Sequence, residues 1–249
     1  MSRTRLRIGG RAVRSAAAAL AALLLLTGCL YPGDEQATRP AGIKEAVRNV
    51  QSAIDQYMED TRMLPIKNAT RDTPLYEKFV IDFAKLKRTG YMSALPAVSY
   101  EEGGHYYFLV IDEETDPLVK LMDLRIAQQI NDIQSWVDGY MAAHNGEVPK
   151  GDRAYPDFYY IDYERMNKKS PTIVSPYSNA PIQAIVHDNG TVFADYGIDI
   201  MQTLQRESNG SAEALPDDLR RLLVDRYDFV PVKGPAYRLA GGEPQAVLP

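Results

Sequence analysis

An internal duplication is the sequence feature that most constrains how this chain can fold. Apolar residues recur at the spacing of one helical face in residues 43–58, and the same spacing returns in residues 126–141. Polar residues match as well, since Gln51-Ser52 corresponds to Gln134-Ser135. The sequence therefore predicts two similar amphipathic helices.

The segments that follow the two helices also correspond. An apolar residue and a proline come first, at Leu64-Pro65 and Val148-Pro149. We expect them to end each helix, because the residue before a proline is pushed out of the helical region. Ile81-Asp82-Phe83 then corresponds to Ile161-Asp162-Tyr163. Each aspartate is well placed to cap a short helix, because its carboxylate can accept bonds from otherwise unpaired backbone amides.

Strand-like runs close each copy. They cover residues 106–111 and 118–121 in the first copy, and residues 182–187 and 191–194 in the second. Asp188-Asn189-Gly190 joins the latter pair with the Asn-Gly signature of a tight hairpin turn. The predicted fold class is α+β, with two related helix and antiparallel hairpin units. We expect the units to form one body, because a lone two-stranded hairpin is marginal in water.

Residues 201–249 follow the second copy without repeating it. They predict a helix with Leu219, Leu222 and Leu223 on one face, a closing strand at 227–232, and a coil or frayed terminus at 233–249. The predicted parts of the chain are a cleaved signal peptide at 1–28, a lipidated tether at 29–42, a first α+β repeat at 43–125, a second at 126–200, and a C-terminal helix and coil at 201–249.

The N-terminus is typical of a bacterial lipoprotein signal. Five arginines precede an apolar stretch, residues 16–26, which is shorter than the about 20 apolar residues that a membrane-spanning helix needs. Leu26, Thr27 and Gly28 form the cleavage motif, and Cys29, the only cysteine, follows. We expect cleavage before Cys29 and a diacylglyceryl lipid on its sulfur. This predicts a lipid-anchored protein on the extracytoplasmic face of the cell membrane.

Cleavage would also make the protein more acidic. It removes all five signal arginines and leaves 23 basic and 33 acidic residues, a formal charge of −10. Such a balance disfavours nucleic acid as a partner. A flexible tether of this length has a root-mean-square reach of about 20 Å, so we expect any protein partner to lie near the outer leaflet.

The sequence contains no recognisable catalytic or metal-binding constellation. His105, His144 and His187 are the only histidines, and the repeat pattern brings none of them together. There is no serine elbow, no glycine-rich phosphate loop and no thiol beyond Cys29. We therefore predict a protein with no catalytic residue, no metal and no cofactor, apart from the covalent lipid on Cys29.

The densest acidic segment runs from Asp112 to Asp116. Its spacing is partly that of a calcium loop, but Pro117 stands where the sharp turn of such a loop requires glycine. A solvated hairpin loop is the prediction, and cation binding is left open. The 16 tyrosines suit strand packing or a protein-binding surface.

Six short segments, taken in order, carry a resemblance to a known family. On these segments the chain resembles the YphF family of lipoproteins from endospore-forming Gram-positive bacteria. The resemblance implies a lipoprotein without an established activity, in a family sometimes labelled as a transporter-associated binding protein. The segments are Cys29-Leu30-Tyr31-Pro32, Leu64-Pro65-Ile66-Lys67, Thr73-Pro74-Leu75-Tyr76, Ile81-Asp82-Phe83, Val119-Lys120-Leu121-Met122-Asp123-Leu124-Arg125 and Ser175-Pro176.

Each predicted unit is also similar to the head of a pilin or pseudopilin, in which a helix packs on a small antiparallel sheet. The chain departs from pilins at its N-terminus, because the apolar stretch ends in the lipoprotein motif and would be removed. The resemblance therefore concerns the head units and not filament assembly.

These observations favour a non-enzymatic interaction or scaffold module held at the membrane. The first alternative is a solute-binding lipoprotein that serves a transporter, although such receptors usually alternate βαβ units around a ligand cleft. The second alternative is an envelope hydrolase, which would need a carboxylate with a suitably placed partner.

Overall fold

Two long amphipathic helices, each laid against an antiparallel hairpin, organise the chain. The computed structural model describes residues 40–207 and 215–248; the predicted signal peptide, Cys29 and the predicted tether up to residue 39 lie outside them. The helices are α1 (Pro40–Thr61), α2 (Phe83–Arg88), α3 (Leu124–Ala143), α4 (Gly197–Glu207) and α5 (Arg220–Arg226). The strands are β1 (Tyr106–Ile111), β2 (Leu118–Asp123), β3 (Lys150–Tyr155), β4 (Phe158–Ile161), β5 (Ile173–Val174), β6 (Pro181–Ile182), β7 (Ala184–His187), β8 (Val192–Ala194), β9 (Ala236–Ala240) and β10 (Glu243–Val247). The fold class is α+β, as predicted.

The ends of the two long helices differ from the prediction. α1 begins at Pro40, inside the predicted tether, since the fixed φ of proline suits the first position of a helix. α1 ends at Thr61 because Arg62 adopts a positive φ of 57°. Likewise, α3 ends at Ala143, and the positive φ angles of Asn145 and Gly146 turn the chain away. Left-handed residues therefore end these helices before the chain reaches either proline.

Strand pairing follows the same order in both units. In the second unit, β3, β4, β7 and β8 form a four-stranded antiparallel sheet in that order. In the first unit, isolated bridges join Ile66 to Ile81 and Val80 to Leu109, and β1 pairs with β2. The first unit therefore has the same order of pairings, with bridges where the second has strands.

The same glutamine contacts join helix and hairpin in each unit. Gln51 on α1 donates to the Pro117 carbonyl at 2.9 Å and accepts from the Val119 amide at 2.7 Å. These bonds satisfy backbone groups at the start of β2 and fix the hairpin against the helix. On α3, Gln134 makes the corresponding bonds with the Gly190 carbonyl at 2.9 Å and the Val192 amide at 2.7 Å.

Three local predictions for the second unit need correction. The strand predicted over 182–187 is divided by Gln183 into β6 and β7. β3, β4 and β5 were not predicted, and the exposed, charged residues of β3 show no apolar alternation. Asp162 begins a turn and not a helix, although its carboxylate accepts from the Arg165 amide at 3.2 Å, whereas Asp82 caps α2 as predicted.

The β1–β2 hairpin lies between two hydrophobic cores. Phe108 and Val110 pack into the first core, beneath α1 and α2. Leu109 and Ile111 point the other way and pack into the second core, which α3, the four-stranded sheet and the C-terminal segment share. Because both faces of one hairpin are buried, the two units form a single body.

The C-terminal segment contains a hairpin where the sequence predicted a coil. β9 and β10 pair antiparallel within residues 233–249, and the turn between them uses Gly241 and Gly242, both with positive φ. The predicted helix is present as α5, with Leu219, Leu222 and Leu223 buried as expected. The predicted boundary at residue 200 falls inside α4.

Residues 227–232 form an irregular segment with a single bridge in place of the predicted strand. The Leu121 amide on β2 donates to the backbone carbonyl of Asp228 at 2.8 Å. The Leu121 carbonyl accepts from the Val230 amide at 2.9 Å. This segment therefore attaches the C-terminal region to the hairpin of the first unit. Among the helices of residues 40–207 and 215–248, none is both long and apolar enough to cross a bilayer.

Candidate functional site

A groove of about 1190 Å³ lies where the two units and the C-terminal segment meet. The start of α1, the loop before β1 and the first turn of α3 line one part of it. The turn after β5 and residues 226–229 line the rest. Two of the segments that carry the family resemblance, Asp123-Leu124-Arg125 and Ser175-Pro176, come together here.

A fixed arginine lies in this groove at the start of α3. Asp123 caps the helix by accepting from the Arg125 amide at 2.9 Å. The same carboxylate accepts from Arg125 Nε at 3.0 Å and Nη2 at 2.5 Å, and Nη2 also reaches the Tyr106 hydroxyl at 3.2 Å. The side chain of Asp123 is buried while that of Arg125 is 56 % exposed, so a buried carboxylate holds an accessible guanidinium.

Electrostatics keep this arginine charged and the neighbouring phenol neutral. The hydrogen bonds that Arg125 donates to the Asp123 carboxylate raise the pKa of Arg125. Burial raises the pKa of Tyr106, an effect that Arg125 opposes. Arg125 therefore presents a permanent positive charge at neutral pH.

Two more basic side chains lie on the groove wall. Lys44 projects from the first turns of α1 and His105 precedes β1. Within the described residues, neither side chain has a hydrogen bond or ion pair. Nη1 of Arg125 is likewise without a protein partner among those residues. These donors are therefore available to a ligand.

Aromatic rings also line the groove. Tyr177 contacts Tyr227 edge to face, with ring centroids 5.2 Å apart, and Tyr106 contacts Phe229 at 5.5 Å. Tyr100, on the rim, is 56 % exposed. Such rings combine apolar faces with polar hydroxyl tips and suit the binding of mixed polar and apolar groups.

A serine turn and a buried carboxylate support these aromatic rings. The Ser175 hydroxyl accepts from the Tyr177 amide at 3.0 Å and fixes the turn. Asp199, on α4, is 2 % exposed, and within the described residues neither carboxylate oxygen has a hydrogen-bond partner. Burial raises the pKa of Asp199.

The histidines singled out in the sequence occupy three separate places. His105 lines the groove, whereas His144 stacks on Tyr140 with ring centroids 3.9 Å apart. His187 lies at the end of β7 and packs against Phe158. In residues 40–207 and 215–248, no group of three or more histidine, cysteine, aspartate or glutamate side chains could hold a metal ion.

The acidic segment from Asp112 to Asp116 forms the loop of the β1–β2 hairpin. The Asp112 carboxylate pairs with Arg221 of α5 at 2.7 Å, and its carbonyl accepts from the Thr115 and Asp116 amides. One carboxylate of the loop is therefore committed to an ion pair with the C-terminal region.

The predicted lipid-attachment residue Cys29 and the cleavage motif Leu26, Thr27 and Gly28 lie outside the described residues. The groove itself was not predicted from the sequence. Its clearest local signal is Asp123 followed two residues later by Arg125, within one of the segments that carry the family resemblance. Its aromatic residues come from distant segments, and only the tertiary fold brings them together.

Comparisons with known proteins bear on the first unit. No curated protein and no solved structure matched the chain. Residues 43–123 match the family model described as the YphF family N-terminal domain. This range ends at Asp123, the last residue of β2, and therefore covers the first helix and its hairpin. The first unit, 81 of the 249 residues, is therefore similar to the N-terminal domain of the YphF family.

Proposed function

We propose that this protein is an extracytoplasmic lipoprotein, anchored by a diacylglyceryl group on Cys29, whose body is a non-enzymatic interaction module. In this proposal the groove binds a protein partner close to the outer leaflet of the cell membrane. The observation that carries the proposal is the groove itself, which is lined by accessible cations and by aromatic rings that both units and the C-terminal segment contribute.

The position of the groove relative to the anchor supports this function. α1 begins at Pro40, eleven residues after Cys29, and Ile43 and Lys44 of its first turns line the groove. A flexible segment of that length has a root-mean-square reach of about 18 Å. A lipid on Cys29 would therefore keep the groove within reach of membrane proteins.

The matched contacts of the two units support their origin by duplication. Gln51 and Gln134 make corresponding hydrogen bonds to the two hairpins. The Asp82 amide donates to the Pro65 carbonyl at 2.7 Å, and the Asp162 amide donates to the Pro149 carbonyl at 2.9 Å. A helix packed on antiparallel pairings is also the arrangement that motivates the likeness to pilin heads.

The strand pairing favours the interaction module over a solute receptor. The named strands pair antiparallel, whereas solute receptors usually contain parallel strands joined by helices. A thermal-shift screen in which one small solute stabilises the protein by several degrees would favour the receptor.

Site-specific photocrosslinking in cells tests the proposal. A photoreactive residue at Tyr100, on the groove rim, should form a discrete adduct with a membrane or cell-surface protein. Tyr160, which is 37 % exposed on β4 and does not line the groove, provides a matched control position. The same adduct from both positions, or none from Tyr100, would contradict a partner at the groove.

The anchor is tested in the same cells. Cys29→Ser should prevent incorporation of a labelled fatty acid and release the protein from the membrane fraction. It should also abolish the adduct at Tyr100. Retention of the label in this variant would contradict lipid attachment at Cys29.

A further inference from the structure

We propose that the groove binds an acidic peptide segment of its partner, with a carboxylate seated on Arg125 and Lys44. This inference rests on the proposed function, and it specifies the chemistry of the partner at the same site.

Charge distinguishes the groove from the rest of the protein. After removal of the signal peptide the chain has 23 basic and 33 acidic residues. In contrast, Lys44 and the Nη1 group of Arg125 in the groove have no protein partner among the described residues. The groove thus offers cationic donors on an otherwise acidic protein, which favours an anionic ligand.

Arg125 is arranged to accept such a ligand. Asp123 and Tyr106 occupy its Nε and Nη2 donors, which fixes the plane of the guanidinium. Nη1 remains available on a side chain that is 56 % exposed. Because the arginine is already ordered, a carboxylate that binds to Nη1 does not have to immobilise it.

The groove is wide and has apolar contacts beyond the cations. Its volume of about 1190 Å³ exceeds the roughly 300–1,000 Å³ typical of small-ligand pockets. Val174 and Tyr100 on its rim are 48 % and 56 % exposed. A peptide segment can place a carboxylate on Arg125 and an apolar side chain on these residues at once.

A phospholipid headgroup is the other anion near a membrane anchor. An anionic leaflet presents many negative charges to the acidic surface of the mature protein, which repels the protein from that leaflet. A short acidic peptide brings only a few negative charges to the protein and can place them beside Arg125 and Lys44. The charge distribution therefore favours the peptide.

Binding of a synthetic peptide to the full mature lipoprotein in non-ionic detergent tests this inference. The probe is a fluorescein-labelled octapeptide of alternating glutamate and tyrosine or leucine, and the control peptide has glutamine at every glutamate. By fluorescence anisotropy, we expect about tenfold tighter binding of the acidic peptide, because its hydrogen bonds involve charged groups. The difference should shrink as salt increases.

Variants locate the interaction. Arg125→Gln should weaken binding of the acidic peptide about tenfold. Because this change leaves the buried Asp123 carboxylate unpaired, the double variant Asp123→Asn with Arg125→Gln is tested as well, and it should show the same loss with an unchanged thermal midpoint. Lys87→Gln removes one charge from the exposed side of α2, outside the groove, and should change binding less than twofold.

Three results would overturn the inference. They are equal binding of both peptides, acidic-peptide binding that the Arg125 variants leave intact, and groove-dependent binding to phosphatidylglycerol vesicles without binding to the peptide. If any of these occurs while Tyr100 still crosslinks to a partner, the inference of an acidic peptide segment is wrong and the proposed function stands. If the Tyr100 adduct is absent as well, both fail.

Discussion

One glutamine side chain in each long helix supplies two of the hydrogen bonds that hold the adjoining hairpin. Gln51 bonds to the backbone at Pro117 and Val119. Gln51→Ala leaves both backbone groups without these partners, so we expect the free energy of unfolding to fall by about 1–3 kcal/mol. Urea denaturation followed by circular dichroism measures this change. Gln56→Ala, at an exposed position of the same helix, should change stability by less than about 0.5 kcal/mol.

The buried carboxylate of Asp199 should make stability depend on pH. Burial raises its pKa in the folded state above the ordinary 3.8, so the folded protein binds a proton more tightly than the unfolded chain does. The free energy of unfolding should therefore fall as the pH rises from about 3.8 through the folded-state pKa of Asp199. Above that pKa the loss of stability is complete.

Asp199→Asn tests this dependence, because the amide stays neutral at every pH. The variant should be more stable than the wild type at pH 7, and the difference should vanish near pH 3. Asp152→Asn, at an exposed position of β3, should leave the pH profile unchanged. A parallel loss of stability in Asp199→Asn at both pH values would indicate a purely structural role for the carboxylate.

Residue-scale predictions from the sequence succeeded where the signal was local. Asp82 accepts from the Lys85 amide at 2.9 Å, as a capping aspartate does. The sequence did not indicate the network at Asp195, whose carboxylate accepts from the Tyr155 and Tyr237 hydroxyls at 2.9 and 2.7 Å. Those three residues come from β3, the β8–α4 junction and β9, so only the tertiary fold brings them together.

The β1–β2 hairpin is the element that joins the two cores. Leu109 is fully buried on its second-core face, whereas its neighbours Phe108 and Val110 face the first core. Both faces of β1 are therefore apolar or aromatic, a pattern more often found in parallel sheets.

Shortening a buried side chain of this hairpin should lower the stability of the protein. Leu109→Ala should lower the free energy of unfolding by about 2–5 kcal/mol, because it removes buried methyl groups and leaves a cavity. Leu239→Ala, on β9 at 46 % exposure, removes the same atoms from a largely solvated position and should cost less than about 1 kcal/mol. Equal losses in urea denaturation would contradict the buried position of Leu109.

The strength of the periodic signal explains which elements could be predicted. The long helices bury a regular apolar face, and β1 was predicted with its exact ends because all six of its residues are apolar or aromatic. β3 is an exposed edge strand with charged residues, and irregular pairing interrupts its register with β4. β9 and β10 flank two glycines, and their alternation is too short to stand out from the surrounding composition.

Hydrogen bonds and ion pairs attach the C-terminal segment to the first unit. The Lys120 ammonium donates to the Tyr227 carbonyl at 2.8 Å, and Arg221 pairs with Asp112. Arg220 lies 4.9 Å above the ring of Tyr76, and burial raises the pKa of that tyrosine to about 12. These contacts and the shared hairpin couple the folding of the two units.

That coupling predicts that damage in the first unit is felt in the second. Leu86, in α2, is fully buried in the first core, and Leu86→Ala should cost about 2–5 kcal/mol. Trp136, the only tryptophan, packs against the second core and reports on that unit through its fluorescence. In urea, the Trp136 transition of the variant should shift by the same amount as the circular dichroism transition. Met63→Ala, at a position 61 % exposed in the first unit, should move neither midpoint. An unchanged Trp136 midpoint in Leu86→Ala would mean that the units unfold independently and that the shared hairpin does not couple them.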